Sequence, residues 1–160
     1  MDLLTDEQFT TYANRYMDTV YRTAYHCLAS RAEAEDVTQE VFLKLLGERK
    51  TFESDEHVRN WLVRVTVNTC RNVIRSRWWN HVSIEGYPEP AASERSGGVL
   101  ESVLALPAKY RVPIYLFYYE GYSTQEVAAI LKIPKNTVCT RLKRAREMLK
   151  IMIEEERGYV

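Results

Sequence analysis

Residues 121–150 read GYSTQEVAAILKIPKNTVCTRLKRAREMLK, and the second half of that run carries the side chains with the most chemistry to offer. Val138, Leu142, Ala145 and Leu149 recur at spacings of four, three and four, an apolar stripe that must face the body of a domain. At about 100° per residue, the opposite side presents Asn136, Thr140 and Lys143, with Cys139 and Arg144 on its flanks. An amide, a hydroxyl and cationic groups along one side of a helical rod can hydrogen-bond base edges and phosphates in the major groove of DNA. Residues 123–150 hold seven Lys or Arg against two Glu, and such an excess attracts a polyanion. A charged helix face by itself is more often merely solvated. Here a tight turn between two helices, a biased charge and a polar helix start coincide, which points to DNA.

The charge is segregated along the chain although the 160 residues sum to zero. Residues 1–56 hold six Lys or Arg and twelve Asp or Glu, an acidic stretch better suited to a protein partner. Residues 59–77 hold five Arg and no acid, while residues 80–106 hold one Arg and four Glu. Two basic patches with an acidic spacer suggest two contacts on one long polyanion.

Other chemistries find little support. His26, His57 and His81 stand far apart with no Cys or His at metal-ligand spacing. No glycine-rich phosphate loop and no nucleophile elbow is present, so neither an enzyme nor a metal or cofactor is expected. Cys27, Cys70 and Cys139 are odd in number and form no CxxC pair, which suggests reduced thiols in a cytoplasm. No apolar run approaches the ~20 residues a membrane span needs, and residues 1–7 are acidic where a leader would be basic. A cytoplasmic chain with no membrane insertion is expected.

These groups need helices to hold them. Thr5 with Gln8 is a capping box opening a helix to about Leu28, with Phe9, Tyr12, Ala13, Tyr16, Val20 and Ala24 at helical spacing. Ser30 with Glu33 is another capping box, opening a second helix through Ala34, Val37, Val41, Phe42, Leu45 and Leu46 that stops at Gly47. A third starts near Ser54 or Asp55, packs Val58, Trp61, Leu62, Val65 and Ile74, and fades near Trp79. Residues 80–98 are rich in Pro, Ser and Gly and read as a linker. A short helix over 99–106 follows, then one from Pro107 to Tyr119 in which Pro113 predicts a bend or a shifted start. Ser123 with Glu126 caps the first helix of the helix-turn-helix, Gly121 suits a left-handed residue before it, and Pro134 suits the start of the next.

The runs VYRTAYHCLASRAEAEDVTQEVFLKLL (residues 20–46), NWLVRVTVNTCRNVIRSR (60–77) and LPAKYRVPIYLFYYEGYSTQEVAAILKIPKNTVCTRLKRARE (106–147) together resemble, in that order, a sigma-70 family RNA polymerase sigma factor. More narrowly they are similar to the small two-domain extracytoplasmic function (ECF) group. The resemblance implies an all-α fold of two small helical domains. A three-helix sigma region 2 covers residues 1–79 and a helix-turn-helix sigma region 4 covers 99–153, with a flexible linker at 80–98 and an acidic tail at 154–160. It implies a protein that binds core RNA polymerase and directs promoter recognition, DNA melting and transcription initiation. The implied partners are the clamp helices of the largest polymerase subunit, the flap of the second-largest subunit, promoter DNA and an anti-sigma factor.

The same resemblance assigns residues. Asp36, Gln39 and Glu40, on one face of the second helix, would dock on polymerase, with Phe42 and Leu45 in the core. Arg59, Arg64, Asn68, Arg71 and Arg75, with Arg77 and the loop 50–57, would take the −10 element, where polar and cationic groups hold separated strands. Trp61 falls on the apolar stripe and is expected in the core. Asn72 stands where the family often has Asp, and Trp78 and Trp79 replace a basic run. At the −35 element Cys139, Thr140, Lys143 and Arg144 would face base edges, with Asn136, Thr137 and Arg141 nearer the phosphates. Cys139 departs from the usual Lys or Arg, and a thiol cannot make a bidentate contact to guanine. The acidic linker has two readings, an RNA mimic in the polymerase exit path or a solvated tether.

Two other readings carry different consequences. A stand-alone helix-turn-helix repressor or activator would dimerise through residues 1–79 and bind a palindrome without polymerase. An anti-sigma or adaptor module would need no basic helix, and the acid-free residues 59–77 speak against it.

Overall fold

The computed structural model describes residues 3–80, 99–156 and 158, with backbone alone for 77–80. Seven α-helices and one π-helical turn make up the regular structure among the described residues, and there is no strand. The chain divides into two compact units, Met1–Ile84 and Glu85–Val160. The linker and the side chains of Arg77, Trp78 and Trp79 lie outside the described residues. None of the described helices is long and apolar enough to cross a membrane.

The first unit is α1 (Asp6–Leu28), α2 (Arg31–Leu46) and α3 (Asp55–Asn80), with α1 packed on both others. Thr5 Oγ1 accepts from the Gln8 N–H at 3.1 Å and Gln8 Oε1 accepts from the Thr5 N–H at 3.0 Å, which fixes the start of α1. Ala29 ends it in the left-handed region at φ 53°, and the Ser30 hydroxyl accepts from the Glu33 N–H to open α2. Val20, Ala24 and Leu28 of α1, Val37, Val41 and Leu45 of α2, and Val58, Leu62, Val63 and Val67 of α3 are buried in the core. Each fully buried Val or Leu contributes about 1.5–3 kcal/mol, so this shared interior, more than helix propensity, holds the three helices together.

The buried side of α3 is rotated from the expected stripe. Thr66, Thr69 and Cys70 are buried while Trp61, Val65 and Ile74 are half-exposed. Each threonine satisfies its own hydroxyl, Thr66 donating to the Leu62 carbonyl at 2.6 Å and Thr69 to the Val65 carbonyl at 2.8 Å. A hydroxyl bonded within its own helix can enter an apolar core at little cost, so the threonine methyls pack inward and Trp61 is left on the flank. Leu46 of α2, also expected inside, is 43% exposed.

The second unit is α4 (Val99–Leu104), α5 (Ala108–Ile114), a π-helical turn (Tyr115–Tyr119), α6 (Thr124–Leu131) and α7 (Lys135–Glu156). The helix expected over 99–106 ends early, because residues 105–107 turn the chain and bring Leu106 inside, 1% exposed. Arg111, also 1% exposed, holds that turn, its Nη1 donating to the Leu106 carbonyl at 2.9 Å and to Leu104 at 3.4 Å. Pro113 lies inside α5, and the irregularity follows it as a widened turn closed by the Glu120 N–H on the Tyr115 carbonyl at 3.2 Å. The acidic residues 154–156, expected in a separate tail, extend α7 instead. Helix α7 packs on α5, α6 and α4, burying Val138, Leu142 and Ala145.

Candidate nucleic-acid interface

The turn between α6 and α7 is built by three local devices. Ser123 Oγ accepts from the Glu126 N–H at 3.1 Å and Glu126 Oε1 accepts from the Ser123 N–H at 3.1 Å. Gly121 before them has φ 79°, a left-handed value that a residue with a Cβ resists. Lys132 ends α6 at φ 57°, and the first turn of α7 is closed by the Val138 N–H on the Pro134 carbonyl at 3.1 Å.

With Val138, Leu142 and Ala145 sealed against the unit, the other side of α7 is open. Asn136, Cys139, Thr140, Lys143 and Arg144 are exposed, and Thr137 and Arg141 half-exposed. The Thr140 hydroxyl donates to the Asn136 carbonyl at 3.0 Å, which leaves its oxygen free to accept from a base. Among the described residues no carboxylate forms an ion pair with Arg141, Lys143 or Arg144, so their charge is available to phosphates. The structure adds two residues the sequence reading missed. Lys109 and Tyr110 of α5 line one groove with Asn136, Thr137, Thr140, Arg141 and Arg144. The Arg144 guanidinium beside the Tyr110 phenol, and then Lys109, lower that phenol's pKa from its ordinary value. A helical pattern in α5 interrupted by Pro113 gave no sign that this pair would share a face with α7.

On α3, Arg64, Asn68, Arg71 and Arg75 fall within about 60° of one another around the helix, with Arg64 and Arg75 exposed and Asn68 and Arg71 half-exposed. Arg59, five residues before Arg64, stands about 140° away and is half-buried. Asn68 lines an open pocket with Trp61, Val65, Lys44, Gly47 and Glu48. Trp61 thus belongs to this pocket wall, a role its place in the expected stripe concealed. Its ring is held edge-on by Phe52, 5.7 Å between centroids, and Phe52 also meets Tyr12 at 6.2 Å and His57 at 5.2 Å. His57 Nδ1 accepts from the Glu53 N–H, and the His57 N–H donates to Ser54 Oγ, both at 3.1 Å. These contacts give the loop before α3 a defined shape.

Asp36, Gln39 and Glu40 are exposed on α2, while Phe42 and Leu45 are buried as expected. Asp36 and Gln39 line a groove of about 700 Å³ between α1 and α2, floored by Phe9, Met17, Tyr21, Phe42 and Leu43 and rimmed by Asp18 and Glu35. Glu40 faces elsewhere and pairs with Lys44 at 3.5 Å. Leu43, 65% exposed, is the residue whose exposure among charges could have marked this groove in the sequence. An apolar floor with an acidic rim fits a helix that offers apolar and basic side chains. No group of three or more potential metal ligands occurs among the described residues.

Comparison with known proteins agrees along the length of the chain. The family model for sigma-70 region 2 matches residues 12–80 and that for sigma-70 region 4 matches residues 97–149. The ECF RNA polymerase sigma factor SigW of Bacillus subtilis is 29% identical over 169 residues, covering 93% of this chain and 90% of its own. The ECF RNA polymerase sigma-E factor of Escherichia coli is 29% identical over 137 residues, covering 73% of this chain and 72% of its own. Among solved structures, the sigma factor RpoE of Bartonella quintana, in complex with the anti-sigma factor NepR, has a TM-score of 0.74 at 20% identity, covering 92% of this chain and 98% of that one. At that identity the likeness speaks for the fold.

Proposed function

The chain belongs to the sigma-70 family of RNA polymerase sigma factors, in its ECF group, and from that premise we propose how its two units share the task of directing transcription initiation. The α4–α7 unit takes the −35 element, with α7 in the major groove. Cys139, Thr140, Lys143 and Arg144 meet base edges, and Asn136, Thr137 and Arg141 meet the flanking phosphates. The observation that carries this reading is the two-sided character of α7, buried along Val138, Leu142 and Ala145 and polar, cationic and open on the other side.

The α1–α3 unit takes the −10 element. Separating strands means unstacking bases, which costs a few kcal/mol for each one. Arg64, Arg71 and Arg75 offset part of that cost by holding phosphates of the displaced strand, and Asn68 beside Trp61 offers an amide and an aromatic face to an extruded base. Arg59, on another side of α3 and half-buried, would reach the −10 DNA apart from this patch. The acidic groove at Asp36 and Gln39 receives a clamp helix of core RNA polymerase, and Glu40 adds charge beside it. The flap of the second-largest subunit meets the α4–α7 unit. An anti-sigma factor is a further partner, supported by the complex of RpoE with NepR.

The protein has no catalytic step of its own in this reading and acts with polymerase in the cytoplasm. A stand-alone repressor or activator is not favoured, because family matches to regions 2 and 4 occur together and in order. The test is run-off transcription with purified core polymerase on a genomic fragment library. New start sites that depend on the added protein are expected. A competent core that gains none would remove the proposal.

A further inference from the structure

We propose that Arg146 of α7 and Tyr118 of the π-helical turn form a phosphate grip on the flank of α7 away from Arg141, so that the α4–α7 unit holds both strands of the −35 duplex. The inference rests on the reading of α7 given above and adds two residues to it.

The pair is held by a direct contact. Arg146 Nη1 donates to the Tyr118 phenol oxygen at 3.1 Å. The Tyr118 ring is met edge-on by Phe117, 4.9 Å between centroids, yet Tyr118 remains 58% exposed. Arg146 is exposed too, and among the described residues no carboxylate forms an ion pair with it. Both groups keep hydrogen-bonding capacity to offer. The guanidinium has further N–H donors, and the phenol, accepting from Arg146, still has its own O–H to give. Arginine and tyrosine side chains presenting donors side by side suit the oxygens of a phosphate. Holding the guanidinium at Tyr118 beforehand lowers the rotamer entropy lost when it docks.

The position on α7 names the partner. At about 100° per residue, Arg146 falls within about 20° of Cys139 and about 140° from Arg141. The two arginines therefore stand on different flanks of the side that faces the bases. Along the axis, Arg146 lies about 10 Å beyond Cys139 at ~1.5 Å per residue. The major groove is about 12 Å wide, so a helix whose first turns read base edges meets a phosphate wall within that length. Arg141 takes the wall on one flank, and Arg146 with Tyr118 takes the wall formed by the other strand.

The experiment uses the full chain bound to core polymerase and promoter duplexes in which single phosphates of either strand are replaced by neutral methylphosphonates. Arg146→Ala, Tyr118→Phe and Arg141→Ala are compared with the parent over a range of salt, and thermal unfolding of each variant is measured alongside. Arg146→Ala is expected to weaken every −35 sequence alike by about tenfold, the scale of a hydrogen bond to a charged group, and to reduce the salt slope by about 1. Tyr118→Phe is expected to weaken all sequences by about three- to tenfold and to leave base preference unchanged. One methylphosphonate should cost the parent affinity and cost Arg146→Ala none, and it should lie on the strand opposite the phosphate that Arg141→Ala identifies. The inference is overturned if Arg146→Ala leaves affinity and salt slope unchanged, if it relaxes a single base position, or if its phosphate lies on the same strand as that of Arg141. A loss of affinity with no dependence on any one phosphate would show a purely structural role and overturns it as well. If Arg141→Ala and Arg144→Ala change neither salt slope nor base preference, the placement of α7 has failed first, and those two variants reveal it.

Discussion

The phenol of Tyr16 in α1 donates to the main-chain carbonyl of Asp55, the first residue of α3, at 3.1 Å. It joins residues 39 apart and ties the end of the loop before α3 to the body of the unit. Arg15 reaches the Asp55 carboxylate as well, at 2.6 Å, but both side chains are about half exposed or more (46% and 64%). The two contacts differ in weight. A half-buried hydrogen bond contributes about 0.5–1.5 kcal/mol, whereas an exposed ion pair contributes about 0–1 kcal/mol and is screened by salt. Tyr16→Phe is therefore expected to lower stability by about 1 kcal/mol, and Arg15→Ala by less. Urea unfolding of both variants measures the order, and the reverse order would assign the anchor to the ion pair.

The thiols differ as sharply. Cys27 and Cys70 are buried, at 5% and 1% exposure, and Cys139 is exposed. A hydrogen bond with Cys27, then burial, hold the Cys70 pKa well above the ordinary thiol value. Native protein treated with a thiol reagent at neutral pH is expected to label at Cys139 alone, with Cys27 and Cys70 reacting only on unfolding. The sign of the pH effect follows from the same shift. The folded state resists ionisation of Cys70 and the unfolded state does not, so its contribution to stability is present below about pH 8.5 and is lost as pH rises past that value toward the folded pKa. Cys70→Ala should remove this component of the alkaline decline, and an undiminished decline would show it arises elsewhere.

Two left-handed positions, one before the helix-turn-helix and one in its turn, give substitutions of opposite sign. Lys132 stands at φ 57° and carries a Cβ that this conformation disfavours by about 1–2 kcal/mol. Lys132→Gly relieves that strain and gives back part of it as unfolded-state entropy, for an expected gain of about 0.5 kcal/mol. Gly121 at φ 79° has no atom within 4 Å of an added Cβ, so Gly121→Ala meets only the backbone penalty and is expected to lose about 1 kcal/mol. Thermal unfolding of the two variants in parallel checks the pair of signs.

In the proposed reading Arg141 and Arg144 make different kinds of DNA contact. Arg144→Ala is expected to cost about 1–3 kcal/mol and to relax one base position. Arg141, half-exposed at the groove edge, should weaken all promoters alike when replaced by Ala and reduce the salt slope by about 1. Binding titrations at several salt concentrations tell the two apart. Uniform weakening from Arg144→Ala would move that residue to the phosphates.

Helix starts were the most legible feature of the sequence. Thr5, Ser30 and Ser123 each cap the helix they announce, because a capping hydroxyl acts within three residues. The open side of α7 was legible for a related reason, since its stripe of Val138, Leu142 and Ala145 has one period and one neighbouring surface. On α3 the same logic failed, because a count of apolar residues omits threonines that bond their own backbone, and Thr66 and Thr69 entered the core in place of Trp61 and Val65. The place of Lys109 and Tyr110 beside α7 depends on two helices meeting, and no local pattern in α5 carries that information, whereas the Met17–Leu43 groove left one local mark, the apolar Leu43 among charged neighbours.

Cys139 offers the most direct test of how α7 reads DNA. It is exposed, precedes Thr140, and lies five residues before Arg144 on the open side of the helix. The family resemblance leads to an expectation of Lys or Arg at this position, and a thiol is only a weak donor. In the proposed reading Cys139 leaves its base pair read by contact and exclusion, with Lys143 and Arg144 carrying more of the choice. Cys139→Arg should install a bidentate donor and create a preference for guanine at one −35 position, worth about 1–3 kcal/mol. Because the residue is exposed, fold stability should change by no more than about 0.5 kcal/mol. Cys139→Ser, close in size and still unable to make the bidentate contact, should leave base preference as it is. Binding to promoters with each base at each −35 position decides the matter. An arginine that tightens every sequence equally would place this residue over the phosphate backbone, and the register of α7 in the groove would have to be turned by about one residue, roughly 100°.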